Sequence, residues 1–356
     1  MRNTEALQYC HAVRRPTLDD VAQRAGVSRT LVSMTLRGLP GAGEDTRQAI
    51  VDAAAALGYV PHAAARNLAS QSSRAIGVLL RDMHNAFFAD VVDGLHASMR
   101  EAGYHVLMAS GDDLQLERSV LETFRSYRMD GAVLIGPEVR EREIETFGQS
   151  TPTVVVGRPV RSRSVDVIVS DDRKGAALAV EHLYELGHRD IAHLDGGTVP
   201  GGATARRAGY VEAMRKRGLE RHVRTAGGGF THAHGADGVD ELLRKRRPPT
   251  AIFAVNDLVA LGAMQRLAEL ELSTPGDVSI VGYDNSSIAA QRRVGLTSID
   301  QPRFEIGTLA AALLQERFVG RQQSSRHLLA PKLVERETTR PLDERDRRGS
   351  QGGPPR

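Results

Sequence analysis

Arg29, Thr30, Ser33 and Arg37 recur at spacings that share one side of a helix. Together they offer the donors and acceptors that read base edges in a DNA major groove. A second set of polar residues, far along the chain, directly follows apolar runs: Asn256-Asp257 after AIFAV, and Asp284-Asn285 after VSIVGY. Adjacent donors and acceptors of this kind grip vicinal hydroxyls of a small ligand. Arg81/Asp82, Asp112/Asp113, Gly157/Arg158 and Ser170/Asp171/Asp172 stand at similar points. Each has a plainer reading as a helix cap, and for Asp112 and Asp172 the cap is the expectation.

The first set needs a helix to present it. Residues 17–38, TLDDVAQRAGVSRTLVSMTLRG, read as two short helices joined at a glycine. Thr17 and Asp20 form a capping box that starts a helix at Leu18, with Leu18, Val21, Ala22 and Ala25 as its apolar face. Gly26 takes a positive φ to leave that helix, and Ser28 caps the next. Val32 and Leu36 point inward from the second helix. An ordinary αα-hairpin would carry an apolar outer face there, and this face is mostly polar. The pattern is a helix-turn-helix. A third helix, EDTRQAIVDAAAALGY, has Ile50, Val51, Ala54 and Leu57 on one side, a Gly58-Tyr59 exit, and Pro61 to forbid continuation.

Residues 16–60 thus form a small DNA-binding headpiece. Residues 61–73 are either a plain linker or a hinge helix that orders only on DNA. In the second case Ala65 and Leu68 are its DNA contacts, with Leu68 wedging into a minor-groove step. Residues 1–15 and 341–356 read as disordered tails.

From residue 74 to 340 the pattern is alternating apolar strands and amphipathic helices. Strands are expected at 75–82, 105–112, 130–136, 152–157, 166–170, 190–196, 251–257 and 278–284. Runs apolar on both faces and followed by helices signal parallel α/β sheets. Their number asks for two lobes: about 74–165 plus 302–328, and about 166–301 plus 329–340. The fold class is therefore α plus α/β, a three-helix headpiece and hinge ahead of a two-lobe core. Ligands in such sheets bind beyond the C-terminal strand ends, which here means the cleft between the lobes.

Composition narrows the function classes. The 356 residues carry a net charge of +3, and residues 1–74 hold nine Arg against six acids, so the excess sits near the headpiece. Aromatic content of 4% without Trp leaves little for stacking on single-stranded bases. Cys10 is the only cysteine, which excludes a disulfide framework and a cysteine-based zinc site. Neither an apolar membrane span nor a signal peptide is visible, so a cytosolic, nucleoid-associated protein is expected. No metal, cofactor or enzymatic activity is expected either. His232-Ala-His234 reads as part of a solvated Gly-rich loop, and GGGF at 227–230 follows a charged turn rather than an apolar strand and reads as a loop.

These residues resemble the lactose-repressor/galactose-repressor (LacI/GalR) family of bacterial transcription regulators, from about Pro16 to Thr339. The motifs are TLDDVAQRAGVS, DTRQAI with ALGYVPH, the hinge AARNLAS, AVEHLYELGHRDIAHLDG, AVNDLVALGAMQRL, and DVSIVGYDN with TSIDQP. The resemblance implies a two-lobe core like that of periplasmic binding proteins and a homodimer, or a dimer of dimers, on a palindromic operator, with one sugar-like effector per cleft. It implies phosphate contacts for Thr17, Ser28 and Ser33, base reading by Arg29 and Thr30, and an intercalating role for Leu68. Phe87, Phe88, Arg206, Asn256, Asp257, Asp284 and Gln301 fall at effector positions. Met34 stands where many members carry a polar base contact, which suits a thymine methyl instead. Arg158 and Arg303 also depart from the family pattern, and an Arg-lined cleft would favour an acidic or phosphorylated sugar. Repression of carbohydrate genes is the expected function. The alternatives are a purine-repressor-like regulator that needs a corepressor, or a transporter's solute-binding protein.

Overall fold

The computed structural model describes residues 16–60, 72–111, 113–198, 201–245 and 248–342. They fall into two compact units that divide between Ser73 and Arg74. Both terminal tails up to Arg15 and from Asp343, and residues 61–71 of the hinge with Ala65 and Leu68, lie outside the described residues.

Local capping chemistry shapes the first unit. Helix α1 (Leu18–Ala25) opens on the capping box: Asp20 N donates to Thr17 Oγ1 at 3.3 Å, and Thr17 N to the Asp20 carboxylate at 2.7 Å. Gly26, at φ 67°, ends it. Helix α2 (Arg29–Leu36) begins where Leu31 N donates to Ser28 Oγ at 3.2 Å. Helix α3 (Glu44–Leu57) starts from Gly43 without a side-chain cap and ends at Gly58, where Tyr59 N bonds Ala54 O at 2.9 Å. The core they enclose is Val21, Ala22, Val32, Ile50, Ala53 and Ala54. Val51, expected on the inner face of α3, is 45% exposed. The buried stripe runs through Ile50, Ala53, Ala54 and Leu57, and the next residue along a helix is turned about 100° away.

The second unit contains two six-stranded sheets. The first is built from β1 (Ala75–Leu80), β2 (His105–Ser110), β3 (Gly131–Ile135), β4 (Thr153–Val156), β5 (Asp166–Ser170) and β11 (Arg326–Leu329). Its order is β11-β5-β4-β3-β1-β2, and every pairing is parallel. Helices α4 (Ala86–Glu101) and α11 (Arg303–Phe318) cover one face, and α5 (Leu114–Ser126) and α6 (Glu141–Gly148) the other. The alternation Val78, Leu79, Leu80 sends neighbours to opposite clusters, which is why these strands read as unbroken apolar runs.

The second sheet has β6 (Ile191–Asp195), β7 (Arg224–Gly227), β8 (Ala251–Ala254), β9 (Ser279–Asp284), β10 (Thr297–Asp300) and β12 (Lys332–Val334). The order is β12-β10-β9-β8-β6-β7, parallel except for β12 against β10. Helices α7 (Asp172–Glu185) and α8 (Gly202–Lys216) pack on one face, α9 (His232–Lys245) and α10 (Asp257–Glu269) on the other.

Three points differ from the sequence reading. Strand β5, expected to begin the second lobe at residue 166, pairs with β4 and β11 in the first sheet, so the chain crosses after Ser170. The later crossings run from Asp300 to Arg303 and from Leu329 to Lys332. Strands β7, β10, β11 and β12 were absent from the expected series because RTAG, TSID, RHLL and KLV each carry polar or charged residues and none is an unbroken apolar run. GGGF at 227–230 begins on the last residue of one of these, β7, which is not an apolar run.

Candidate functional site

In the first unit helix α2 carries the residues expected on its outer face. Arg29, Thr30 and Arg37 are exposed, and Ser33 is half-buried. Arg29 lies 3.6 Å from Asp19 in an exposed ion pair, a contact weak enough to exchange for a phosphate or base. Met34 is half-buried, with its Cε turned toward Gly41. Ser28 is exposed, and its Oγ accepts the cap bond from Leu31 N. The Thr17 hydroxyl donates to Asp20 at 2.7 Å, so in this conformation its proton is committed within the headpiece.

In the second unit the C-terminal strand ends converge on a cleft of about 970 Å³ between the two sheets. Phe87 and Phe88 line it from the start of α4, their rings edge-to-face at 5.6 Å, and Phe230 faces it from the other lobe. Arg206, Asp284 and Gln301 line it as well. Arg206 is buried on α8, and its Nε donates to Asp172 Oδ1 at 2.8 Å and its Nη1 to Val255 O at 2.7 Å. The same guanidinium lies 3.9 Å from Asp284 Oδ1 and 3.7 Å from the centre of the Tyr283 ring. Burial works against its charge, but Asp172, Tyr283 and Asp284 outweigh that and raise its pKa above the ordinary value. Gly175 makes the packing feasible, since a Cβ there would overlap the Tyr283 hydroxyl.

Asp284 ends β9 and accepts from Gln301 Nε2 at 2.7 Å. Burial pushes its carboxyl above the usual carboxylate range against the pull of Arg206, and the neighbouring Asp257 adds to the rise. The floor of the cleft therefore mixes one guanidinium, two carboxylates and an amide, while its walls are aromatic. Such a surface holds hydroxyls at one end and an apolar ring face along the side.

Four expected placements change. Arg158 is buried and its Nη1 donates to Pro137 O at 2.8 Å and Val139 O at 2.6 Å, so it braces the loop after β3 and is not among the cleft residues. Asp257 lies beneath the end of β9, where Ser286 N and Ser298 Oγ each donate to it at 2.6 Å, and it does not line the cleft. Asp172 is not a cap: Asp171 caps α7 by accepting from Lys174 N at 3.1 Å, and Asp172 faces the cleft beside Arg206. His232 and His234 open α9 and line the cleft rather than a solvated loop. Asn256 reaches the cleft with its amide already engaged, capping α10 through Val259 N at 2.8 Å and holding Phe230 O at 3.0 Å.

The cleft is consequently not lined by surplus positive charge. Arg81 pairs with Glu138 at 2.5 Å, Arg206 faces two carboxylates, and Arg158 and Arg303 are turned elsewhere. The preference for an acidic or phosphorylated ligand is thereby withdrawn. Phe230 was missed because its signal, an aromatic after three glycines, is shared by many loops.

Residues 17–62 match the model for bacterial regulatory proteins of the lacI family, and residues 180–339 the periplasmic binding protein-like domain. The HTH-type transcriptional repressor PurR of Vibrio campbellii is 31% identical over 92% of this chain and 99% of its own length. A solved lac repressor dimer, bound to operator and the anti-inducer ONPF, superposes with a TM-score of 0.76 at 25% identity, covering 92% of this chain and all of that one. The transcriptional regulator CelR in complex with cellobiose gives a TM-score of 0.68 at 29% identity, covering 91% and 100%. With headpiece, two-lobe core and near full-length relatives in agreement, the chain belongs to the lacI family of bacterial transcriptional regulators.

Proposed function

We propose that the chain represses genes for carbohydrate uptake or breakdown, and that an uncharged sugar-like effector in the inter-lobe cleft controls it. Helix α2 reads a palindromic operator through Arg29, Thr30, Ser33 and Arg37, with Met34 against a thymine methyl. Ala65 and Leu68 serve the minor groove. The observation that carries the effector class is the pairing of an aromatic wall, Phe87, Phe88 and Phe230, with a charge-balanced floor of Arg206, Asp172, Asp284 and Gln301. The CelR–cellobiose complex supports a sugar, and the operator-bound lac repressor supports DNA binding as a dimer. Strand β2, at the edge of the first sheet with Leu107 and Met108 exposed, suits a contact between two copies.

The test is fluorescence anisotropy with duplexes from the promoter region of the chain's own gene, across a salt series and with or without cellobiose. Retention should fall steeply with salt. Arg29→Ala or Thr30→Ala should each weaken it by about 1–3 kcal/mol. No salt-sensitive retention of any duplex, with or without ligand, overturns the reading. A second reading draws on the PurR relative: a corepressor-dependent regulator that holds DNA only when liganded. Operator binding that appears only on adding a purine base would select it.

A further inference from the structure

Asp284 lines the cleft with its side chain, while its backbone begins a sharp corner at the end of β9. Its φ is +104° and that of Asn285 is +49°, two successive left-handed conformations that L residues avoid unless their surroundings impose them. Several contacts impose this corner. Asn285 N donates to Ser298 Oγ at 2.9 Å, Asn285 Nδ2 donates to Asp300 Oδ1 at 2.9 Å, and Arg336 Nη2 donates to Asn285 Oδ1 at 2.7 Å. Each of these ties the corner to its own lobe. One contact does not: Arg303 Nη1 donates to the Asp284 carbonyl at 2.6 Å.

Arg303 is the first residue of α11, just after the chain has crossed from β10 to the first lobe. The same guanidinium places Nη1 3.5 Å from Asp300 Oδ1 in the second lobe and Nε 2.9 Å from Asp90 Oδ2 in the first. Asp90 lies on α4, one turn beyond the Phe87 and Phe88 that wall the cleft. A single fork-shaped, permanently charged side chain thus touches the cleft-floor strand, the crossing and the cleft-wall helix.

We propose that Arg303 is the positioning residue that fixes the Asp284–Asn285 corner and ties it to α4, so that the setting of the two lobes and the geometry of the cleft floor change together. Only the consequence for a bound effector rests on the function proposed above. A ligand that draws on the Asp284 carboxylate shifts a residue whose carbonyl is clamped by Arg303, and the shift reaches α4 through Asp90. Separation of the lobes must stretch either the carbonyl contact or the Asp90 pair, so Arg303 also favours the lobe setting described here.

The test reads lobe separation in the full-length, ligand-free chain without DNA. Cys10→Ser removes the natural thiol, and Glu101→Cys on α4 with Arg215→Cys on α8 gives one spin-labelled pair across the lobes. Labelled protein is diluted in unlabelled protein so that only distances within one chain are read. Arg303→Gln should add a longer-distance population, and Asp90→Asn should shift the distribution the same way. The double variant should go no further than the larger single shift, because both remove one link. Arg303→Lys keeps the charge beside Asp90 but cannot span all three partners, and should fall between. Thermal melts run alongside separate lobe opening from loss of fold. If Arg303→Gln does not melt cooperatively, Asp90→Asn alone decides. A distribution unchanged from the parent, or two shifts that simply add, overturns the proposal. Because neither DNA nor ligand is present, a chain that bound no duplex but still opened would refute the repressor reading and leave this one standing.

Discussion

Arg206 is buried in the floor of the cleft and His193 lies fully buried away from its lining, and their surroundings drive one to stay charged and the other to stay neutral. Arg206 meets Asp172 and Asp284 and stays charged. His193, on β6, meets rings: it stacks on Phe253 at 4.6 Å, and Tyr210 is 5.2 Å away. Its Nδ1 reaches Phe253 O at 2.9 Å, which makes Nδ1 the donor, while Nε2 has no hydrogen-bond partner among the described residues. Burial pushes its pKa down to about 4 from the ordinary 6.5. Between those values the unfolded chain takes up a proton that the folded chain refuses, so stability falls as pH drops from about 6.5 to about 4. At about 1.4 kcal/mol per pH unit, the full loss is about 3 kcal/mol at the low end. His193→Leu should remove this part of the pH dependence. Urea melts of both proteins from pH 7 to pH 4 measure it, and parallel curves would show that His193 is not the source.

At the scale of elements, what the sequence disclosed depended on how local its cause was. The Thr17–Asp20 box, the Gly26 exit and the Ser28 cap are contacts within a few residues, and each stands where its spacing placed it. The long apolar strands were equally legible, because burial on both faces leaves no polar alternation. The short strands that carry polar residues were not. RTAG and KLV gain their strand character from one neighbour in the sheet, a pairing that sequence spacing does not encode. The cleft divides in the same way. Asp284 stands at a polar break after an apolar run, and Arg206 and Gln301 were placed by the family resemblance, whereas Asp172 became a cleft residue only because α8 brings Arg206 to it. Asp171 and Asp172 could not be ranked as caps from their own stretch of chain. Local logic also supplies a stabilising change. Gly43 begins α3 at φ −64° and ψ 164°, a setting open to any residue, and a Cβ there meets nothing within 4 Å. Gly43→Ser adds the missing acceptor and should stabilise the headpiece by a few tenths of a kcal/mol, about 2 °C for a unit this small. Calorimetry of the headpiece transition checks the sign, and a lower midpoint would mean that the serine fails to cap.

At the scale of the molecule, the two units differ greatly in what holds them. The first is closed by six buried residues from three short helices, whereas the second buries four separate clusters around two sheets. A core that small is marginal by itself. Unfolding should therefore proceed in two steps, the headpiece first. The steps should respond to different ligands, since each ligand stabilises only the unit that binds it. A cleft ligand at a hundred times its dissociation constant adds about 2.7 kcal/mol to the larger unit, or roughly 5–10 °C in its midpoint. The earlier transition should not move. Operator duplex should do the reverse and raise the early transition. Differential scanning calorimetry of the full chain with cellobiose, with duplex and with both separates these cases. With both present, any departure from the sum of the two single effects is the coupling free energy between cleft and headpiece, and its sign tells induction from corepression. A single transition that every ligand moves equally would mean that the units unfold as one, and the assignment of separate ligands to separate units would then fail.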